Sequence, residues 1–175
     1  NRLANMVKST GVSTNTASII DYIRLTKEAC LIFSIDNYAS KFVEKETVKK
    51  HYFTDNGLLS IFLTNQDTSL LENLCAIALY KKYASDDEPR LYYYNKNVEV
   101  DFYIPEEEMA IQASYTLCDE QTRKREVGAL VALHKLHQLK KAVIVTYDEE
   151  DTLVINGLKI EVVPIWKWLL ASEMR

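Results

Sequence analysis

Glu99 and Asp101 stand two residues apart in the run EVDFYI, a spacing that turns both carboxylates to one side of a strand. IQASYTL offers Gln112 and Ser114 at alternate positions of the next strand. Strand carboxylates are the donors a hard divalent cation prefers, and such a cation activates water and steadies a departing oxygen. Gln112 can present only a neutral carbonyl, and Ser114 cannot orient a hydroxide as an ammonium would. The pattern therefore supplies half of a metal-dependent hydrolytic site. Lys96, or a lysine brought in from elsewhere, could complete it together with Glu99. In the purely structural alternative, Asp101 pairs with Arg90 or Lys96, and Glu72 bonds to strand backbone.

Other candidates carry less chemistry. His134 and His137 share a helix face at i and i+3, but no cysteine or carboxylate joins them at zinc-ligand spacing. Glu106, Glu107 and Glu108 read as a solvated charge run in a hairpin loop. Tyr92, Tyr93, Tyr94, Phe102 and Tyr103 alternate across two strands and are expected to pack a sheet. Trp166 and Trp168 are expected to seal the core as a lid.

The elements that must position these residues follow from periodicity. SLLENLCAIALYKKY predicts an amphipathic helix with Leu70, Leu71, Leu74, Ala78 and Leu79 toward one face. RLYYYNK and VEVDFYI predict a hairpin across Asn95-Lys96-Asn97, and MAIQASYTL a third strand. A helix opened by Asp119 comes next, then the apolar run KAVIVTYD, which reads as a strand covered on both faces. LKIEVVPIWKWLLA adds a strand and a short helix entered at Pro164. The order is that of an α/β sheet with helices on both faces.

Upstream, the first helix ends near Ser9, Gly11 makes a turn, and Ser13 is placed to cap a second helix that runs to about Glu28. ACLIFSIDNY and KKHYFTDNGLLSIF then predict two strands around the charged stretch 41–50, the layout of a winged helix over residues 1–60. GLLSIFLTNQD links it to a second domain, 61–175. On DNA, Thr14, Asn15, Thr16 and Ser18 would face the major groove, with Lys45, Lys49 and Lys50 on phosphates.

Composition limits the partners. The net charge is -4. Residues 1–60 hold eight Lys/Arg against six Asp/Glu, and the remainder thirteen against nineteen. Neither part has the basic excess of a protein that grips nucleic acid by charge alone, so any such contact is local. Cys30, Cys75 and Cys118 lie apart among apolar neighbours and are expected to be buried reduced thiols of a cytoplasmic protein. No run approaches the ~18 apolar residues of a membrane span, and no signal peptide is expected. Asn1 already reads as helical, as in a piece of a longer polypeptide.

LLENLCAIALYKK, YYYN with EVDFYI, IQASYTL, HYFTDNGLL and the tail VIVTYDEEDTLVINGLKIEVVPIWKWLL together resemble the C-terminal region of a family of bacterial and archaeal AAA-type ATPases. In that family an ATPase domain is followed by a winged helix and a domain related to the PD-(D/E)XK nucleases. The resemblance implies a restriction-endonuclease-like α-β-β-β-α-β domain. It also places the phosphate-binding loop and ATP upstream, since nothing here resembles GxxxxGK[ST]. By the same resemblance Glu72 matches the helix carboxylate, Asp101 the strand Asp, Gln112 the Glu and Ser114 the Lys of the nuclease site. Glu72 and Asp101 would be its metal ligands, with Mg2+ as the ion if it worked. Loss of the Glu and the Lys implies a non-catalytic region that contacts DNA or a partner protein. The alternatives are an endonuclease with a rearranged site and a structural platform for ATPase assembly.

Overall fold

In a computed structural model, residues 2–40, 48–62, 67–84 and 90–173 are described. The contacts divide the chain between Phe33 and Ser34, whereas the sequence reading divides it at residue 60.

The first unit holds two helices, α1 (Arg2–Ser9) and α2 (Thr16–Glu28). Between them Gly11 takes φ +85, a left-handed conformation that costs glycine nothing. The cap of α2 is not Ser13. Asn15 fills that place, its side-chain carbonyl accepting from the Ser18 amide at 2.9 Å. Asn is among the strongest N-cap residues, and Thr16 begins the helix two residues later than the sequence suggests.

The second unit is built on a sheet of eight strands in the order β2-β1-β3-β4-β5-β6-β8-β7. These are β1 (Ile32–Asn37), β2 (Lys49–Phe53), β3 (Tyr92–Asn95), β4 (Glu99–Ile104), β5 (Met109–Ala113), β6 (Lys141–Thr146), β7 (Asp151–Ile155) and β8 (Leu158–Pro164). The two strands read as a wing are thus part of the large sheet. β1 runs parallel to β3, with Asp36 opposite Tyr92 and Asn37 opposite Tyr93. Asn37 fastens this join: its side chain donates to Asn95 O at 2.7 Å and accepts from Asn95 N at 2.9 Å. Such non-local pairing leaves no local signal in a sequence.

The hairpin β3–β4 and the strand β5 form as the patterns predict. β6, every residue but the first buried, runs parallel to β5 and β8. β7 is an addition to the predicted order. Asn156 and Gly157 both adopt positive φ, 52 and 84, the two-residue turn that closes a tight hairpin, and β7 pairs antiparallel with β8 across it.

The helices are α3 (Asn56–Phe62), α4 (Asp67–Tyr83), α5 (Glu120–His137) and α6 (Ile165–Glu173). The stretch read as a linker therefore contributes α3. α5 is capped by Asp119, whose carboxylate accepts from the Thr122 amide at 2.7 Å. Its Ala129, Leu130 and Leu133 join Val100, Tyr103, Ala110, Ile144 and Ile160 in the main apolar core. α4 buries Leu71, Asn73, Cys75, Ala76 and Leu79, so Cys75 and Ala76 replace Leu70, Leu74 and Ala78 on the inner side. Cys30 and Cys118 are exposed, and of the three thiols expected inside only Cys75 is. Trp166 is 59% exposed and seals nothing; α6 covers the sheet with its other side.

Candidate functional site

Everything at the site hangs on β4, and β4 is irregular where it matters. Its pairing with β3 matches Tyr94 with Val100 but Tyr92 with Tyr103. One residue of β3 thus faces two of β4, Asp101 and Phe102, which is a β-bulge. A bulge breaks strict alternation and re-aims the side chains after it. Val100 and Tyr103 consequently both enter the core packed by α5, while the Phe102 ring lies 5.8 Å from that of Tyr52 on β2.

The bulge also frees Asp101 from an ordinary ladder. The regular pairing of β4 with β5 is recorded from Ile104–Met109 to Phe102–Ile111. Beyond it side chains bridge the strands. Gln112 Oε1 accepts from the Asp101 amide at 2.7 Å, and Asp101 Oδ2 accepts from the Ala113 amide at 3.1 Å. Gln112 Nε2 donates to Glu99 O at 3.3 Å and to Glu126 Oε2 at 2.8 Å.

Into this fork comes Lys50 from β2. Its ammonium lies 2.9 Å from Asp101 Oδ1, 3.0 Å from Glu99 Oε1 and 3.3 Å from Glu72 Oε1. Tyr52, two residues along the same strand, donates its hydroxyl to Glu72 Oε1 at 2.8 Å. The position of Glu72 is itself secured by its neighbour. Asn73 accepts from Phe53 N at 2.8 Å, and its amide donates to Phe53 O at 3.0 Å and to Asn56 Oδ1 at 2.8 Å. The segment HYFTDNGLL thus closes the end of β2 onto α4, and α4 delivers Glu72.

Electrostatically the pocket is tight. Burial opposes the charge on Lys50, yet attraction to Asp101 and Glu72 and the hydrogen bonds to Asp101 and Glu99 outweigh it and raise its pKa. Burial, then the nearby Asp101 charge, raises Glu72 above the ordinary carboxylate value, opposed by Lys50 and the Tyr52 hydroxyl. Tyr52 is raised by burial and by Glu72. Glu126 on α5 is buried and likewise raised by burial; it is countered by the Arg125 guanidinium, 2.6 Å from its Oε1, and by Gln112.

The structure brings together Glu72, Asp101 and Glu99 and joins Gln112 to Asp101 through backbone. It does not bring Ser114 to the cluster. Ser114 is buried, with its hydroxyl donating to Thr116 O at 3.0 Å and its amide to Val145 O at 3.0 Å. The partner of Asp101 is Lys50, not Arg90 or Lys96; Arg90 pairs with Glu106 at 3.7 Å. Glu72 bonds to side chains rather than to strand backbone. Glu107 accepts from the Tyr83 hydroxyl at 2.7 Å and Glu108 pairs with Lys140 at 2.7 Å, so the acidic run is more than a solvated loop. Sequence reasoning missed Lys50 and Glu126. One lysine at the end of a charged run and a mid-helix glutamate carry no local sign of where a strand pairing will take them.

The residues assigned to DNA fall in both units. Thr14, Asn15, Thr16 and Ser18 do lie at the start of α2, exposed or half-buried. Lys49 is 3.2 Å from Asp36, Lys50 is in the pocket, and Lys45 lies outside the described residues. His137 meets Tyr38, Tyr94 and Tyr103 at ring separations of 5.6, 5.6 and 5.5 Å. Among the described residues no group of three or more His, Cys, Asp or Glu is disposed to hold a metal ion. No helix there is long and apolar enough to cross a membrane.

The fold is therefore mixed α/β, with one eight-stranded sheet and a carboxylate–lysine pocket. The chain is similar to the uncharacterized protein MJ1544 of Methanocaldococcus jannaschii, 28% identical over 176 residues, a match that covers 97% of this chain and 40% of that protein. The chain thus spans about two fifths of the length of that relative. No family model matches, and no solved structure matches.

Proposed function

We propose that the chain is a non-catalytic regulatory and interaction region of a larger AAA-type ATPase. In this reading α1 and α2 are the helices of a winged helix whose strands, β1 and β2, have been taken into the large sheet, and α4, β3–β6 and α5 correspond to a nuclease-like domain. ATP binding belongs to a separate upstream domain. The observation that carries the reading is the Lys50 ammonium set among Glu72, Glu99 and Asp101. Where a nuclease would hold Mg2+, this pocket already holds an ammonium of its own, and the amide of Gln112 is spent on holding the β4–β5 fork together. Those residues do not fit a divalent cation as they stand.

The same geometry weakens the case for phosphate contacts, because Lys49 and Lys50 are engaged by Asp36 and by the pocket. A protein surface, the ATPase domain or a partner, is the preferred ligand over DNA. One observation favours a second reading, that of a metal-dependent endonuclease: Lys50 is a lysine carried to Asp101 from another strand, 2.9 Å away.

Incubation with plasmid, branched and single-stranded DNA in Mg2+ or Mn2+ separates the two. The expected result is no cleavage; cleavage abolished by Asp101→Ala would establish the endonuclease instead. A gel shift at low salt is expected to show no binding, and binding that weakens steeply with salt would restore DNA as the ligand.

A further inference from the structure

We infer that the Lys50 ammonium is the resident cation of the β4 pocket and keeps divalent metal ions out of it. This rests on the reading of the site as nuclease-like in form and non-catalytic. A metal ion shared by these carboxylates would need their oxygens at about 2.0–2.6 Å, and Nζ of Lys50 stands between the same oxygens at 2.9 to 3.3 Å. The two cations would claim one space. A metal could enter only if Lys50 withdrew, and its side chain is only 22% exposed, with the ammonium also lying 5.6 Å from the centre of the Tyr93 ring.

The would-be ligands are committed as well. Asp101 Oδ2 accepts from the Ala113 amide, Glu72 Oε1 from Tyr52 as well as Lys50, and Gln112 Oε1 from the Asp101 amide. Gln112 Nε2 faces the Glu126 carboxylate, so turning the amide to offer its oxygen elsewhere would set two oxygens against each other. Glu99, held by Lys50 at 3.0 Å and by the Asn95 amide at 3.4 Å, is the most exposed of them, with its side chain 54% exposed.

Mn2+ titration, read by the electron paramagnetic resonance signal of the free ion and by thermal melting, tests the inference without reference to activity. Wild type is expected to leave the ion free and its melting temperature unmoved. Lys50→Met is expected to take up one Mn2+ at least about tenfold more tightly, to melt higher in its presence, and to lose both effects when Asp101→Asn is added. Lys50→Gln, which keeps hydrogen-bonding capacity, should do the same and serves if the methionine variant does not fold. Uptake by wild type as tight as by either variant would overturn the inference, as would no gain in the variants. DNA cleavage by wild type would strike the non-catalytic reading. Equal Mn2+ uptake without cleavage would strike the resident cation alone.

Discussion

The two faces of β4 solve one problem in opposite ways. On the α4 face the bulge presents Asp101 to a charged group from β2, and the buried polar atoms are satisfied by full charges and hydrogen bonds. On the α5 face Tyr103 enters a ring cluster with Tyr38, Tyr94 and His137, where edges and faces of aromatic rings meet at 5.0 to 5.6 Å. Aromatic packing of this kind is worth about 0.5–1.5 kcal/mol per pair and is little affected by salt. A buried charge pair is nearly neutral while intact and costs several kcal/mol when one side is changed. The α4 face is thus the brittle one.

The largest effect is expected from changing the charge balance of the β4–β5 fork, where Gln112 joins Asp101 to Glu126 of α5. Gln112→Glu would place a carboxylate against buried Glu126 and remove the donor that now bridges to Glu99 O. The expected loss of stability is about 3 kcal/mol by urea denaturation, with a substantial part recovered on adding Glu126→Gln. Failure of the second change to recover anything would show that the two residues are not coupled.

An intermediate effect is expected in alkali. Lys50 has its folded pKa raised, burial being overcome by Asp101 and Glu72. Its contribution is therefore complete below about pH 10.4, the unfolded value, and is lost as pH rises through the folded one. Tyr52, raised by burial and by Glu72, stays neutral in the fold while the unfolded phenol ionises near pH 10, so it adds to the same alkaline loss. Lys50→Met should narrow the stability gap to wild type by about 1 kcal/mol between roughly pH 10 and 11, and Tyr52→Phe should flatten what remains. A gap that stays constant across this range would mean that Lys50 is not held by the carboxylates. On the other face Tyr38→Leu should cost only about 1 kcal/mol, equally at low and high salt; a salt-dependent loss would erase the contrast between the faces.

What the sequence revealed divides along the same line. The hairpin at Asn95–Asn97, the covered strand at 141–146, the Asp119 cap and the convergence of Glu72 on Asp101 follow from local pattern and from the resemblance. The bulge does not, since alternation in EVDFYI looks regular and the extra residue appears only in the register with β3. Nor does the place of β1 and β2. A strand pair after two helices reads as a wing, and its parallel pairing with a strand more than fifty residues away depends on Asn37 and Asn95 meeting, |i−j| = 58. Lys50 was legible only as one basic residue in a charged run, because its role is fixed by that long-range pairing. Ser114, by contrast, was placed by simple alternation, and the departure of the chain toward Thr116 turned it away.

Among the described residues β2 is the outermost strand on its side of the sheet. An outer strand with free backbone groups is an invitation to pair with another chain, and natural proteins discourage this by setting charged side chains, lysine above all, on or under the edge. Lys50 is such a residue. A second strand docking there would have to close over a lysine whose partners lie inward, on α4 and β4, and over Lys49 beside Asp36. The ion cluster around Lys50 therefore also sets a charge beneath the outermost described strand of the sheet.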